Sequence, residues 1–346
     1  QARTLTFRME RDGGGRTEVS QNLAVDSFIL FQTKNVTFRL LDSNGTLLDG
    51  KAYYYASGWK TFGEGTTPTN MEMLPNTYSF MVSYKGGSKN MSQNIGENPV
   101  VEFKTVPVTV ILKDSRGTII NNNATSAYYD GGYQPIGPTG TSIELLPTTY
   151  SFQVTYNGGA SVKAQNVSDN PVVEFSTVPV TVVLKDSIGL PLKGDAWYYW
   201  SGWKKVGDGK TPSKMEMLPG KYSFKVDYDG VSNEMAQEIT ANSKVVEFRT
   251  SLVTVNLVTK VKVMGLTFKL PVVGGKVSYY ANYAAGWKDM CRTPLALKQL
   301  LPATYQFAVE FMGQRQQVSR AVTGNTTVEF EIPSELYYKA LKEALS

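Results

Sequence analysis

The chain has 346 residues, 41% of them hydrophobic and 19% charged, with a net charge of +5. That balance fills real cores and excludes a disordered chain, and its lysines and arginines are scattered rather than gathered into the basic run that nucleic acid requires. There is no histidine and one cysteine, Cys291, which excludes a Ser-His or Cys-His pair, a histidine metal site and any intramolecular disulfide.

In chain order, residues 1–33 read as the back half of a unit that recurs later. Leu5-Thr6-Phe7-Arg8-Met9 matches the Tyr-Ser-Phe strands downstream. Phe28-Ile29-Leu30-Phe31 matches Val100-Val101-Glu102-Phe103, Val172-Val173-Glu174-Phe175, Val245-Val246-Glu247-Phe248 and Thr327-Val328-Glu329-Phe330. The front half is missing, so the unit would expose one core face and its strand edges. Leu5, Phe7, Phe28 and Leu30 are therefore the candidate assembly strands. A start at Gln1 fits either a trimmed leader or a cut chain.

Four full units follow, at 34–105, 106–177, 178–250 and 251–332. Their common mark is Leu-Pro-x-x-Tyr-x-Phe, at 74–80, 146–152, 218–224 and 301–307. Its tyrosines, Tyr78, Tyr150, Tyr222 and Tyr305, lie 72, 72 and 83 residues apart. A fixed long period identifies a repeat protein. Each unit opens with a strand such as Val108-Thr109-Val110-Ile111-Leu112. The first three then turn at Asp42-Ser43-Asn44-Gly45, Asp114-Ser115-Arg116-Gly117 and Asp186-Ser187-Ile188-Gly189. Asp first and Gly fourth fit a type I turn. An aromatic strand, a Gly-Trp segment, a Gly/Thr/Pro-rich loop, the Leu-Pro turn and a hairpin complete the unit. Six or seven short strands in 72 residues predict a small antiparallel β-sandwich.

The fourth unit carries about eleven extra residues near 260–275, an apolar stretch that reads as an added edge strand. Residues 333–346 read as a short helix with Ser334 as its N-cap and apolar positions at Leu336, Ala340 and Leu341. The joints between units are two or three residues long, so neighbours pack end to end. The fold class is all-β: tandem antiparallel Ig-like or transthyretin-like β-sandwich repeats in a rod, with a short C-terminal helix.

The strand, Asp-Ser-x-Gly turn, aromatic strand and Glu-x-Leu-Pro-x-x-Tyr-x-Phe order resembles the transthyretin-like sandwich modules of prokaryotic surface proteins, of the Cna-B and carboxypeptidase regulatory-like types. The resemblance covers the four full units and the half unit. It implies a stalk, adhesin or filament role outside the cell. Cna-B modules often hold an isopeptide bond from a first-strand Lys to a last-strand Asn, assisted by a Glu. By matching, these are Lys113 or Lys185 and Glu144 or Glu216. The first unit has Leu41 at the Lys position, and the Val-Val-Glu-Phe strands offer no Asn, so no such bond is expected.

The aromatic strands carry two readings. Rows of exposed aromatics stack on sugars, which makes Trp59, Tyr133, Trp203 and Trp287 candidate glycan contacts. Recurrence in every unit favours instead aromatics that fill cores and cover sheet faces. Asp42, Asp114 and Asp186 offer one carboxylate per turn, too few for calcium. Glu72, Glu144 and Glu216, with Glu102, Glu174, Glu247 and Glu329, fall at period-two positions and read as solvent-facing. Asn-x-Ser/Thr sequons stand at Asn35, Asn44, Asn90, Asn123, Asn166 and Asn325, acceptors in a host with N-glycosylation.

The sequence thus predicts a non-enzymatic extracellular repeat protein without cofactor, metal site or membrane span. Its expected partner is itself, head to tail, by strand complementation of the N-terminal half unit. The alternative is a carbohydrate-binding array that meets surface glycans through its Gly-Trp loops.

Overall fold

The computed structural model describes residues 3–11, 15–281 and 286–345. Gln1 and Ser346, the outer ends of the expected half unit and helix, lie outside them. About two thirds of the described residues are strand, and one helix, Ser334–Leu345, follows the last strand. The chain divides into two compact units, Gln1–Tyr156 with Ala160–Ser176, and Asn157–Gly159 with Thr177–Ser346.

The first full module shows how the local pattern makes the fold. Val36, Phe38 and Leu40 alternate inward along Lys34–Leu41, and all three are buried. That strand pairs antiparallel with Thr69–Met73 and Leu47–Leu48. A second sheet runs Trp59–Thr66, Lys51–Tyr55, Thr77–Tyr84, Gly87–Asn94. Tyr54, Tyr78, Phe80 and Val82 face inward from it. Phe38 is the hub of the core, with ring centroids 5.4 Å from Phe62, 5.9 Å from Phe80 and 5.4 Å from Phe103. Burying one such phenylalanine is worth roughly 1.5–3 kcal/mol, so four rings on one another dominate the stability of so small a module.

Most ladders are antiparallel, but one in each module is parallel. Val100–Lys104 runs alongside Lys34–Leu41, with Val101 opposite Phe38 and Phe103 opposite Leu40. Val172–Ser176, Val245–Arg249 and Thr326–Ile332 repeat this against Val106–Lys113, Val178–Lys185 and Ser251–Val263. The last strand therefore leaves each module in the direction in which the first strand entered it.

The hairpins turn on Lys85-Gly86, Asn157-Gly158 and Asp229-Gly230, with positive φ at both residues of each pair. This is the twist that two-residue hairpin loops need. In the last module the first strand extends to Val263, turns at Met264-Gly265 and returns as Leu266–Pro271. That returning strand is the edge of its sheet. The helix packs Leu336 and Tyr337 against the core of the second unit. Leu341, expected on the same apolar face, is exposed, because a single helix on a sandwich end has only a narrow strip to cover.

Candidate functional site

The recurrent Leu-Pro-x-x-Tyr segment forms a corner closed by a hydrogen bond in three of the four full modules, while the buried Tyr150 hydroxyl makes no hydrogen bond among the described residues. Tyr78 Oη donates to Leu74 O at 2.9 Å, Tyr222 to Leu218 O at 2.8 Å and Tyr305 to Leu301 O at 2.8 Å. Each hydroxyl gives a buried turn carbonyl its donor. Burial favours the neutral phenol and pushes Tyr222 up to about 12. It raises Tyr78, Tyr150 and Tyr305 as well.

A glycine from the preceding hairpin sits against the corner. Gly87 meets the Tyr150 hydroxyl and Gly159 the Tyr222 hydroxyl, with no room for a β-carbon. The hairpin tip reaches the same turn: Lys85 Nζ donates to Glu144 O at 3.4 Å. In the second unit Asn157 Nδ2 donates to Glu216 O at 3.1 Å.

The glutamates two residues before these Leu-Pro turns are joint residues, which corrects their reading as solvent-facing. Glu144 accepts from Ser43 Oγ at 2.5 Å, from Ser43 N at 3.4 Å and from Thr105 Oγ1. Thr177 Oγ1 donates to Glu216 at 2.5 Å. In the last module Gln299 takes the role. Its Oε1 accepts from Ser187 N at 3.2 Å and Thr250 Oγ1 at 2.8 Å, and its Nε2 donates to Ser187 Oγ at 2.7 Å. The same joint carries Asp229, which binds Lys288 at 2.8 Å, Lys298 at 3.1 Å and the Tyr279 hydroxyl. Burial works to raise the Asp229 carboxyl, but the hydrogen bonds from Lys288, Tyr279 and Lys298 outweigh it and hold the group below its usual range.

The other glutamate series pairs first and last strands. Arg39 Nε meets Glu102 at 2.8 Å, Lys113 meets Glu174 at 2.7 Å and Lys185 meets Glu247 at 2.5 Å. These are part-exposed ion pairs, worth little each. Lys113 and Lys185 thus face a last-strand glutamate, while Glu144 and Glu216 face the joints.

Residues 3–11 and 15–33 make several of the contacts that the back halves of the complete modules make. Thr4–Glu10 pairs with Arg16–Asn22. Gly15 stands against the Tyr78 hydroxyl as Gly87 does against Tyr150. Arg11 donates to Glu72 O, the carbonyl matching that of Glu144. Gln21 Nε2 reaches Asp26 O and Phe28 O, both at 3.3 Å. Gln93 does the same to Asn98 O and Val100 O, and Gln165 to Asn170 O and Val172 O. The turn matches too: Phe28 N donates to Asp26 Oδ1 at 2.9 Å, as Val100 N does to Asn98 Oδ1 at 3.0 Å.

What this half-module lacks is cover. Leu5 and Met9 are exposed where Tyr78 and Val82 are buried, and Leu23 is 37% exposed where Ile95 is 0%. Residues 26–33 join no ladder. Phe28 and Leu30 are exposed on one face, and Ile29 and Phe31 are half-buried on the other. Leu30 replaces the outward glutamate of the complete modules, so the strand is apolar on both faces.

The aromatic strands split by face. Tyr54, Tyr128, Tyr198 and Tyr279 are buried. Tyr55 with Trp59, Tyr129 with Tyr133 and Tyr199 with Trp203 form outer pairs at 5.5 Å, and Tyr280 with Trp287 at 5.6 Å. Lys225 lies over the Trp203 ring at 4.7 Å and Arg315 over the Trp287 ring at 4.4 Å. Position 81, matching Lys225, is methionine. All six sequon asparagines are exposed.

Asp42 and Asp114 turn inward on their own turns. Asp42 Oδ1 accepts from Thr46 N and Asn44 N, which holds the carboxyl below its ordinary value. Among the described residues no three acidic, cysteine or histidine side chains gather as a metal site. No described helix is long and apolar enough to cross a membrane. Cys291 is exposed.

No protein-family model matches the chain, and no curated protein sequence does. Among solved structures, it is similar to the Bacillus anthracis TIE protein, at 12% identity over 88% of this chain and 74% of that one, with a TM-score of 0.22. A streptococcal ancillary pilin matches at 11% identity over 62% of this chain and 98% of that one, TM-score 0.19. BcpA, the major pilin subunit of Bacillus cereus, matches at 10% identity over 87% and 99%, TM-score 0.21. Likenesses of this size carry no functional information.

Proposed function

We propose that the chain is a structural, non-enzymatic subunit of an extracellular surface fibre, and that another copy of the chain completes the half-module at residues 3–33. The observation that carries this reading is the half-module itself. It makes the Gln21 clamp and the Gly15 seat that complete modules also make, yet two of its edges are open. One is the free side of Thr4–Glu10, where a complete module places the strand Lys51–Tyr55 against Thr77–Tyr84. The other is residues 28–31, where a complete module places Lys34–Leu41 in parallel. A strand added to such an edge gains a ladder of main-chain hydrogen bonds and covers apolar side chains at once.

The complementary surface is the hairpin of the last module. Leu266–Pro271 is an edge strand, and Leu266 and Phe268 on it are 64% and 47% exposed. Val263 and Met264 beside them are exposed too. Soluble proteins blunt their edges with charge or proline, and here Lys269 and Pro271 come late in the strand, while Leu266, Phe268 and Leu270 are apolar at alternate positions. A contact from this edge on one copy to the open edge on the next is heterologous. Repeated without closure it gives a filament. Leu5, Met9 and Leu23 keep 43%, 42% and 37% of their surface exposed, so covering each is worth less than half of the roughly 1.5–3 kcal/mol for full burial of such a side chain.

Negative-stain electron microscopy of the purified chain tests this. The reading expects fibres that lengthen with concentration and disappear in the L266K/F268K variant, whose substitutions fall on exposed positions. A chain that remains as single particles at high concentration overturns it.

A further inference from the structure

On the outer face of the first full module, Tyr55, Trp59, Ser79, Asn90, Met91 and Ser92 line an open groove of about 490 Å³. Trp59 is 40% exposed and stands edge-on to Tyr55, with an interplanar angle of 79°. Asn90 lies on Gly87–Asn94, the edge strand of its sheet, and is itself exposed. Asn90-Met91-Ser92 is a sequon. The acceptor asparagine and the exposed tryptophan therefore share one groove.

We infer that Asn90 carries an N-linked glycan whose first sugar lies on the ring of Trp59. The attachment joins Asn90 Nδ2 to C1 of a sugar carried on a lipid pyrophosphate donor. The C1–O bond to the pyrophosphate breaks, the pyrophosphate leaves with the electron pair, and the amide gives up one proton. A pyranose presents a face of C–H groups that packs on an indole, and its hydroxyls find donors and acceptors in Ser79 and Ser92 along the rim.

The other modules lack this combination. The positions matching Asn90 are Val162, Glu234 and Gln317. Lys225 covers Trp203 and Arg315 covers Trp287, which leaves those ring faces to cations. Elsewhere, the Asn166 amide nitrogen is engaged with Asp169 Oδ2 at 3.0 Å. The inference rests on the chain being exported, as proposed above, but not on its assembly.

Trypsin cuts after Lys89 and Lys104, so residues 90–104 form a peptide with a single sequon. Mass spectrometry of that peptide from the natively produced chain is the first arm. The expected result is a mass increment of one or more sugars, lost in both N90Q and S92A. The second arm is acrylamide quenching of native and enzymatically deglycosylated chain, with W59F subtracted to isolate Trp59. Deglycosylation is expected to raise quenching of Trp59. An unmodified peptide overturns the inference, including the case in which free oligosaccharide quenches Trp59. A glycosylated Asn90 whose removal leaves Trp59 quenching unchanged overturns the stacking. Neither arm depends on polymerisation, so failure here is separable from failure of the assembly reading.

Discussion

Gly15 stands against the hydroxyl of Tyr78 as Gly87 stands against that of Tyr150, each with no room for a β-carbon. The first glycine belongs to an incomplete module and the second to a complete one. The N-terminal hairpin therefore meets the next module through the joint that complete modules use. A joint that forms without the front half of its module depends on the hairpin tip and the tyrosine corner alone.

Gly87→Ala is expected to loosen the first joint. A β-carbon there collides with the Tyr150 hydroxyl, and overpacking of this kind costs about 1–3 kcal/mol. Gly87 has an ordinary φ, so the loss comes from contact and not from backbone strain. Thermal unfolding and amide exchange at Gly87–Asn94 check this, and an unchanged Tm would contradict it.

Glu144 offers a graded test. Glu144→Gln is expected to be nearly neutral, because Gln299 holds the matching joint through Ser187 and Thr250. Glu144→Ala takes the carboxylate acceptor from exposed Ser43 and from Thr105, whose hydroxyl keeps only its longer contact to Leu41 O at 3.4 Å, at a cost of about 0.5–1.5 kcal/mol. Denaturant unfolding of the two variants should separate them by that amount. Equal losses would show that the charge, rather than the acceptor, matters.

Tyr222 gives an alkaline signature. Burial raises its pKa in the fold to about 12, from the ordinary tyrosine value of 10.0. The folded state therefore holds the proton more tightly than the unfolded chain does. This stability is fully present below pH 10 and lost as pH rises through about 12. Tyr222→Phe removes the Leu218 hydrogen bond at a cost of roughly 0.5–1.5 kcal/mol and flattens the alkaline limb. Stability curves from pH 8 to 12 check both effects, and a variant with the same alkaline slope as the parent sinks the account.

Asp229 gives the acid counterpart. Its carboxyl is held below 3.8 by Lys288, Tyr279 and Lys298 against the opposing effect of burial. Its stabilisation is full above that value and lost as pH falls through the folded pKa. Asp229→Asn is expected to cost about 1–3 kcal/mol at neutral pH and to remove that part of the acid sensitivity. Titration of the variant below pH 4 with an unchanged slope would contradict the assignment.

The fold was legible where the signal is local. Alternation in Val36-Thr37-Phe38-Arg39-Leu40, the turns at Asp42 and Asp114, and the apolar stretch before Leu266 all read directly from period and turn chemistry. The parallel ladder between Val100–Lys104 and Lys34–Leu41 was not legible, because strands some sixty residues apart leave no mark of their direction in a single sequence. Glu144 was misread for a related reason. Within its own module it does point outward, and only the arrival of Ser43 and Thr105 from the module before it makes that outward side a joint. The signal was present as the recurrence of Ser43, Ser115 and Ser187, which turn chemistry alone had explained, and of Thr105, Thr177 and Thr250. The pairing of Thr4–Glu10 with Arg16–Asn22 was legible because Leu5 and Phe7 repeat a pattern seen four more times, whereas Phe28–Phe31, read as a strand, joins no ladder.

The central claim is that the half-module is completed by a second copy. Sedimentation velocity of the 38.1 kDa chain over rising concentration, alongside L266K/F268K, tests it most directly. The account predicts a growing series of polymers for the parent and a single monomer for the variant, with Thr4–Glu10 amides protected only in the polymer. A parent that stays monomeric at every concentration, with those amides already protected, would contradict it.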